Sequence, residues 1–205
     1  MRLLDFSVYD IYLHFRKNKS YYIIFGVFAV VAIVISIIFI AMSDRYLSLL
    51  VSGNKNLYKF INGTASGGEI FFSRVKSFIF PLIIVLLLGL WYESSLLSYI
   101  VFTYQFSVFI LSIAGQISVY YLSGVLTSIF LIIPINLIFF ATLIFLSVTC
   151  IDRAMQAKRF HNFFEGFNGV FFIKIAICFL MVIVLSIIVA FFIPAILKSS
   201  IFLIF

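Results

Sequence analysis

"PLIIVLLLGLWYESSLLSYIVF", residues 81–102, places one carboxylate, Glu93, inside a tract with no other charge between Lys76 and Asp152. A helix needs about 20 mostly apolar residues to cross the roughly 30 Å hydrocarbon core. The tract is therefore too long for one crossing and divides into about three. From Ser77 to Tyr92 the chain covers only about 24 Å at 1.5 Å per residue, so the second helix borrows from Phe72–Lys76 and Glu93 falls at its far end. Glu93 then reads as a turn residue that marks a hairpin. Trp91 and Tyr92 beside it suit an interfacial belt, and Ser94 and Ser95 suit the start of the next helix, where the dipole also favours a negative charge.

The rest of the chain agrees with a membrane location. Of 205 residues, 65% are hydrophobic, 20% aromatic and only 10% charged, whereas soluble domains run nearer half apolar and a quarter charged. The expected fold is an all-α polytopic transmembrane bundle of about five spans, forming a single membrane domain over 1–205. Spans are expected near 22–42, 73–92, 95–115, 121–149 and 171–192, with breaks at Glu93 and near Gly115 to Ser123. Residues 1–20 have apolar positions near helical spacing and read as an amphipathic lead at the membrane surface. The first span exceeds the 7 to 15 residues of a signal peptide's apolar region and is read as a retained anchor.

Residues 43–72 form the long extracytoplasmic loop, rich in Gly, Asn and Ser, with one helical turn at Leu57 to Ile61. Residues 150–170 form a cytoplasmic loop. With the N-terminus inside, the inner face carries Arg2, Arg16, Lys17, Lys19, Arg153, Lys158 and Arg159; the outer carries Arg45, Lys55, Lys59, Arg74, Lys76 and Lys198. The lysines in the middle of the long loop lie farthest from the span ends, which tips the orientation to N-terminus inside, at a cell membrane. Glu93 then shares the inner face with Arg153, Lys158 and Arg159 and is expected to pair with one of them.

Catalytic patterns are sparse. His14 and His161 fall in the flanks, no His-Glu-x-x-His spacing occurs, and "NGTASGGE" lacks the Lys-Ser/Thr ending of a phosphate loop. Asn62-Gly63-Thr64 is a formal glycosylation acceptor. Cys150 and Cys178 read as small buried hydrophobes. No enzyme activity, cofactor or metal site is expected. The net charge of +7 sits in membrane-flanking segments and points to anionic lipid, not to nucleic acid.

Uncharged polar residues do occur inside the spans. Ser98, Gln105 and Ser112 are seven apart in the third span, with Ser94 and Gln116 extending the series. Such residues hydrogen-bond between helices, so this stripe is expected to face another helix, in this chain or in a partner, or to line a polar path. In the fourth span Pro134 is expected to kink the helix near mid-membrane, while Asn136 offers donors to the broken backbone.

These segments, taken in order, resemble the stage II sporulation protein M family over nearly the whole chain. The basic lead "FRKNKSYYIIFG" precedes the first span and a polar loop follows it. "LLLGLWYESSLLSYIVF" matches a span that ends in a Gly-Leu turn, "PINLIFFATL" from Pro134 a Pro-led fourth helix, and "AFFIPAILKSS" from Ala190 the closing piece. The chain departs from the family at Ile135, Asn136 and Phe139, at Val189, and at Thr103 and Ser107, where members carry polar, acidic or glycine residues. The resemblance implies a bacterial membrane protein without catalysis of its own. In sporulating bacteria it would anchor the engulfment machinery, recruiting the peptidoglycan-degrading stage II sporulation proteins D and P.

Two functions are therefore carried forward. The first is a non-enzymatic membrane scaffold whose partners are membrane lipid and other membrane proteins or cell-wall hydrolases, as a homo- or hetero-oligomer. The second is a small transporter or channel component, in which Glu93, Gln105, Gln116 and Asn136 line a path through the third and fourth spans. An intramembrane enzyme would need a clustered His or carboxylate set.

Overall fold

The computed structural model describes residues 8–42, 67–164 and 166–192, and every regular element among them is helical. In chain order they are α1 (Val8–Lys17), α2 (Lys19–Met42), α3 (Gly67–Leu88), α4 (Tyr92–Ser95), α5 (Ser98–Thr127), a π segment (Ser128–Ile132), α6 (Ile133–Arg159), α7 (Gly169–Ile187) and a second π segment (Ile188–Phe192). Five helices are long and apolar enough to cross a membrane: Lys19–Met42, Phe71–Leu88, Tyr92–Ser118, Ile133–Arg159 and Gly169–Phe191. The protein is an all-α, multi-pass membrane protein. The helical turn expected at Leu57 to Ile61, the acceptor Asn62, and the closing piece from Pro194 onward lie outside the described residues.

Helix α6 is the axis of the bundle. Half of its most apolar window is buried, against 17% for α2, so α6 touches protein on most sides while α2 presents Ile23, Val27, Val30, Val34 and Ile37 outward. An unbroken row of exposed aliphatic side chains is a liability in water and the ordinary condition of a lipid-facing helix. Around α6 the core gathers Phe78, Leu82 and Val85 from α3, Phe102 from α5, and Cys178, Val182 and Leu185 from α7. Phe140 on α6 is met edge-on by Phe102, Phe106 and Phe109, with ring centroids 5.0 to 5.8 Å away.

Lipid tails are as apolar as leucine, so helices associate in the bilayer through close packing and hydrogen bonds. Two crossings are built on small residues. At Gly89 an added Cβ would lie 2.5 Å from the Cβ of Cys150; only a glycine lets the end of α3 reach α6. Between α2 and α5 the Ser36 hydroxyl donates to the Ser107 carbonyl at 3.4 Å and to Ala32 at 2.8 Å, and the Ser107 hydroxyl returns a bond to the Ala32 carbonyl at 3.3 Å.

Three boundaries differ from the sequence expectation. The chain stays helical through Gly115–Ser123, and the fourth span runs Ile133–Arg159 in place of 121–149. A glycine costs a helix only about 1 kcal/mol, whereas an unpaired backbone group in hydrocarbon costs several, so the backbone keeps its helical bonds there. Pro134 consequently stands in the first turn of α6, directly after the π segment, where its missing N–H is tolerated; it opens the span and does not bend its middle. Asn136 donates to the Ile132 carbonyl at 2.8 Å. Third, 150–159 belongs to α6, so the loop expected over 150–170 shrinks to 160–168, and the loop expected over 43–72 likewise gives up 67–72 to α3.

Helix α6 ends in a Schellman motif, with Asn162 N–H donating to the Ala157 carbonyl at 3.1 Å and His161 N–H to Lys158 at 3.4 Å. His161 takes the left-handed conformation, φ 49°, where glycine is the usual choice. Helix α7 begins at Asn168, whose side-chain oxygen accepts from Phe171 N–H at 2.8 Å.

Candidate functional site

With five crossings, α1, the α3–α5 hairpin and the 160–168 loop fall at the same end of the bundle. Several ionisable groups of the described residues meet across elements here.

Glu93 lies in the one-turn helix α4, at the hairpin, with its side chain 80% exposed and Lys158 Nζ 3.9 Å away. Lys158 also sits over the Tyr92 ring, 3.8 Å from its centroid. At such exposure the ion pair contributes at most about 1 kcal/mol; the hairpin is held by backbone satisfaction. Ser94 was expected to cap the start of the next helix. Instead its hydroxyl donates back to the Leu88 carbonyl at 2.6 Å, closing one of the carbonyls left open at the end of α3, and Trp91 takes the N-cap position with no side-chain cap.

Arg153, one of the three cations offered to Glu93, goes elsewhere. It is 2% exposed and donates to the carbonyl oxygens of Leu90 at 2.8 Å, Gly89 at 3.4 Å and Phe163. Its guanidinium lies 3.6 Å from the Phe167 ring centroid and 4.8 Å from that of Phe163. A planar fork with five donors suits this better than a lysine would, because it reaches two chain segments at once and stacks on aromatic faces. Gly166 completes the cradle: at φ +84° it holds a conformation glycine favours, and a Cβ there would come within 3.0 Å of Arg153 Cγ. Arg153 thus fastens the α3–α5 hairpin and the 160–168 loop to α6. Arg159 remains exposed.

The N-terminal helix is fastened beside it. Lys17 Nζ contacts both oxygens of Asp152, at 2.9 and 3.1 Å. His14 is buried, packs against Phe145 with centroids 5.1 Å apart, and its Nδ1 lies 3.2 Å from both Lys174 Nζ and Asn18 Nδ2. Since Lys174 can only donate, Nδ1 accepts and the ring is neutral with its proton on Nε2. Burial, then the Lys174 charge, push the His14 pKa down to about 4, with Asp152 pulling upward and Lys17 adding a smaller downward push.

The polar stripe is only partly one face. Ser98 and Gln116 are buried, Gln105 is half-buried and Ser112 is exposed. A seven-residue repeat drifts by about 20° per heptad on a straight helix, so Ser112 has rotated away from the line of Ser98, while Gln116, eighteen residues on, has returned to it. The serine that crosses to another helix is Ser107, outside the stripe. Its signal in the sequence is the small-x-x-x-small pair Ala32 and Ser36 on α2. Cys150 and Cys178 are buried free thiols. Among the described residues no group of three or more His, Cys, Asp or Glu side chains gathers in a way that could hold a metal ion.

Compared with known proteins, the chain matches no family model, no curated protein and no solved structure.

Proposed function

We propose that the protein is a non-enzymatic scaffold of a bacterial cell membrane, N-terminus inside. Its outer loop would hold peptidoglycan hydrolases or other membrane proteins, as the resemblance to the stage II sporulation protein M family implies; in a sporulating host that would be the engulfment machinery. The observation that carries the reading is where the polar side chains of the spans send their hydrogen bonds. Ser36, Thr103, Ser118, Asn136, Thr142, Ser147, Thr149 and Ser186 each donate to the carbonyl four residues back on their own helix. Hydroxyls and amides bonded to their own backbone in this way are satisfied within the helix and are not gathered along a path for a solute. Glu93, the one carboxylate of the long tract, sits at a hairpin with Lys158, not along a polar route through the third and fourth spans.

The test is photocrosslinking from positions 43–66 in cells, followed by copurification. Recovery of a cell-wall hydrolase or a defined membrane partner supports the scaffold. Solute flux through the purified protein in liposomes, with no recovered partner, overturns it in favour of a transporter or channel component.

A further inference from the structure

Helix α6 runs past Arg153 as far as Arg159, about 9 Å at 1.5 Å per residue. The loop that follows does not continue outward. It doubles back along those last turns until the Phe163 carbonyl accepts from Arg153 and Gly166 lies against the same residue, where a Cβ would come 3.4 Å from Arg153 Cα. Arg153 also meets the end of the second span, at Gly89 and Leu90, just before the third begins at Tyr92. The fifth begins after Asn168, close behind Gly166. The returning loop is therefore brought to the level at which spans start and stop, which is the boundary of the hydrocarbon. We propose that the 160–168 loop lies in the interfacial layer of the bilayer, with Phe163, Phe164 and the neighbouring Trp91 set between headgroups and acyl chains.

The side chains carried to that level are aromatic and exposed. Phe164 is 76% exposed, and Phe163 and Trp91 are exposed beside it. They form one patch from two chain segments, with Trp91 6.2 Å from Phe163 and Phe163 5.6 Å from Phe164, between ring centroids. The patch is continuous with a face that already meets lipid. Phe163 leads through Phe167, 5.9 Å away, to Phe172, a further 6.1 Å on, and Phe172 is exposed on the fifth span. A cluster of large apolar rings is costly against water, whereas tryptophan is enriched at headgroup level.

The backbone of the loop fits the same place. Irregular backbone near hydrocarbon has to find its partners within the protein. Here Asn162 N–H reaches the Ala157 carbonyl at 3.1 Å, Phe164 N–H the Asn162 side chain at 3.1 Å and Phe167 N–H the Phe164 carbonyl at 3.3 Å, while the Phe163 carbonyl has Arg153. The layer is hydrated on its outer side, so the amide and carboxylate that the loop carries in its sequence, Asn162 and Glu165, do not exclude it. The contact is apolar and calls for no particular headgroup charge. It rests on the multi-pass fold alone and holds for the scaffold and transporter readings alike.

Trp91 is the only tryptophan of the chain, which gives the test a native probe. The full chain is reconstituted at low protein-to-lipid ratio in phosphatidylcholine vesicles whose acyl chains are brominated either near the headgroup or near the methyl end, and fluorescence quenching is compared with that by aqueous iodide. Trp91 should emit to the blue of tryptophan in water, be quenched more by the shallow bromines than by the deep ones, and be little affected by iodide. Phe164→Trp in a Trp91→Phe background moves the probe to the loop and should give the same pattern. Tyr104→Trp in that background, on the exposed face of the third span, should reverse the order of the two bromolipids and so calibrate depth. If the double variant does not fold, Phe164→Trp alone should leave the pattern of Trp91 unchanged. A probe at position 164 that iodide quenches and bromolipid does not places the loop in water and overturns the proposal. Probes at 91 and 164 that neither quencher reaches overturn it as well, and give the patch to a second copy of the chain.

Discussion

Arg153, on the fourth span, donates to the carbonyl oxygen of Leu90, in the hairpin between the second and third spans, across 2.8 Å. The same guanidinium holds Phe163 from the loop that leads to the fifth span. One side chain therefore ties three consecutive parts of the topology together at one end of the bundle.

Substituting Arg153 tests that joint. Hydrogen bonds from a charged donor contribute about 1.5–3 kcal/mol each, so Arg153→Met should cost roughly 3 kcal/mol or more. Arg153→Lys should recover only part of the loss, because an ammonium cannot fork to two segments. Unfolding in mixed micelles measures the loss, and limited proteolysis should find the 160–168 loop cut faster. A Lys variant as stable as the parent would dismiss the fork as the cause.

Gly89 offers a test of close packing. Gly89→Ala should destabilise by about 1–3 kcal/mol, the usual cost of overpacking, because its Cβ would fall 2.5 Å from Cys150 Cβ. The clash is with Cβ and not only with the sulfur, so Cys150→Ala should fail to rescue it while Cys150→Gly does so in part. Rescue by Cys150→Ala would place the conflict at the sulfur instead.

Lys17 and Asp152 should couple by about 0.5–1 kcal/mol in a double-mutant cycle, since Lys17 is mostly exposed and Asp152 mostly covered. Amide exchange over 8–18 is the readout, because this pair attaches α1 to α6. Reversing both charges should restore most of the protection that either single reversal removes.

Acid should loosen the same helix. His14 has its pKa held near 4, below its ordinary 6.5, by burial and by Lys174 and Lys17, against the opposing pull of Asp152. The undocked helix therefore takes up a proton before the docked one does, and docking is favoured less as pH falls. Its stability should be full above about pH 6.5, decline between 6.5 and 4, and show no further loss from this group below 4. Exchange over 8–18 across that range should show the slope, and His14→Asn should flatten it. An equal slope in the variant would assign the effect to another group.

Glu93→Gln should change stability by less than about 0.5 kcal/mol, because the pair with Lys158 is long and exposed on both sides. A large loss in stability, or the loss of a measurable solute flux, would restore the ion-site reading of this residue.

The hairpin at Glu93 was legible in one dimension because span length is set by the bilayer. The sixteen residues before the carboxylate are too few to cross without borrowing upstream, and a turn has to follow. The extents of α2 and α7 follow from the same arithmetic. The start of the fourth span did not, because isolated glycines that would punctuate a soluble helix do not interrupt one in hydrocarbon. The stripe at Ser98, Gln105 and Ser112 misled for a different reason: spacing by seven approximates a helical face over one heptad and drifts off it over two.

The sequence by itself determined that the chain forms about five apolar spans and that they are helical, since a lipid solvent leaves an apolar chain little choice but to satisfy its own backbone helix by helix. It did not determine which basic residue would be buried. Arg153, Lys158 and Arg159 look alike as charges at the end of a span, and all three could anchor it. Only the tertiary structure distinguished them, because the carbonyls of Gly89, Leu90 and Phe163 that accept from Arg153 come from segments about 63 residues before it and ten after it. Such a cradle exists only once the hairpin, α6 and the 160–168 loop have packed together.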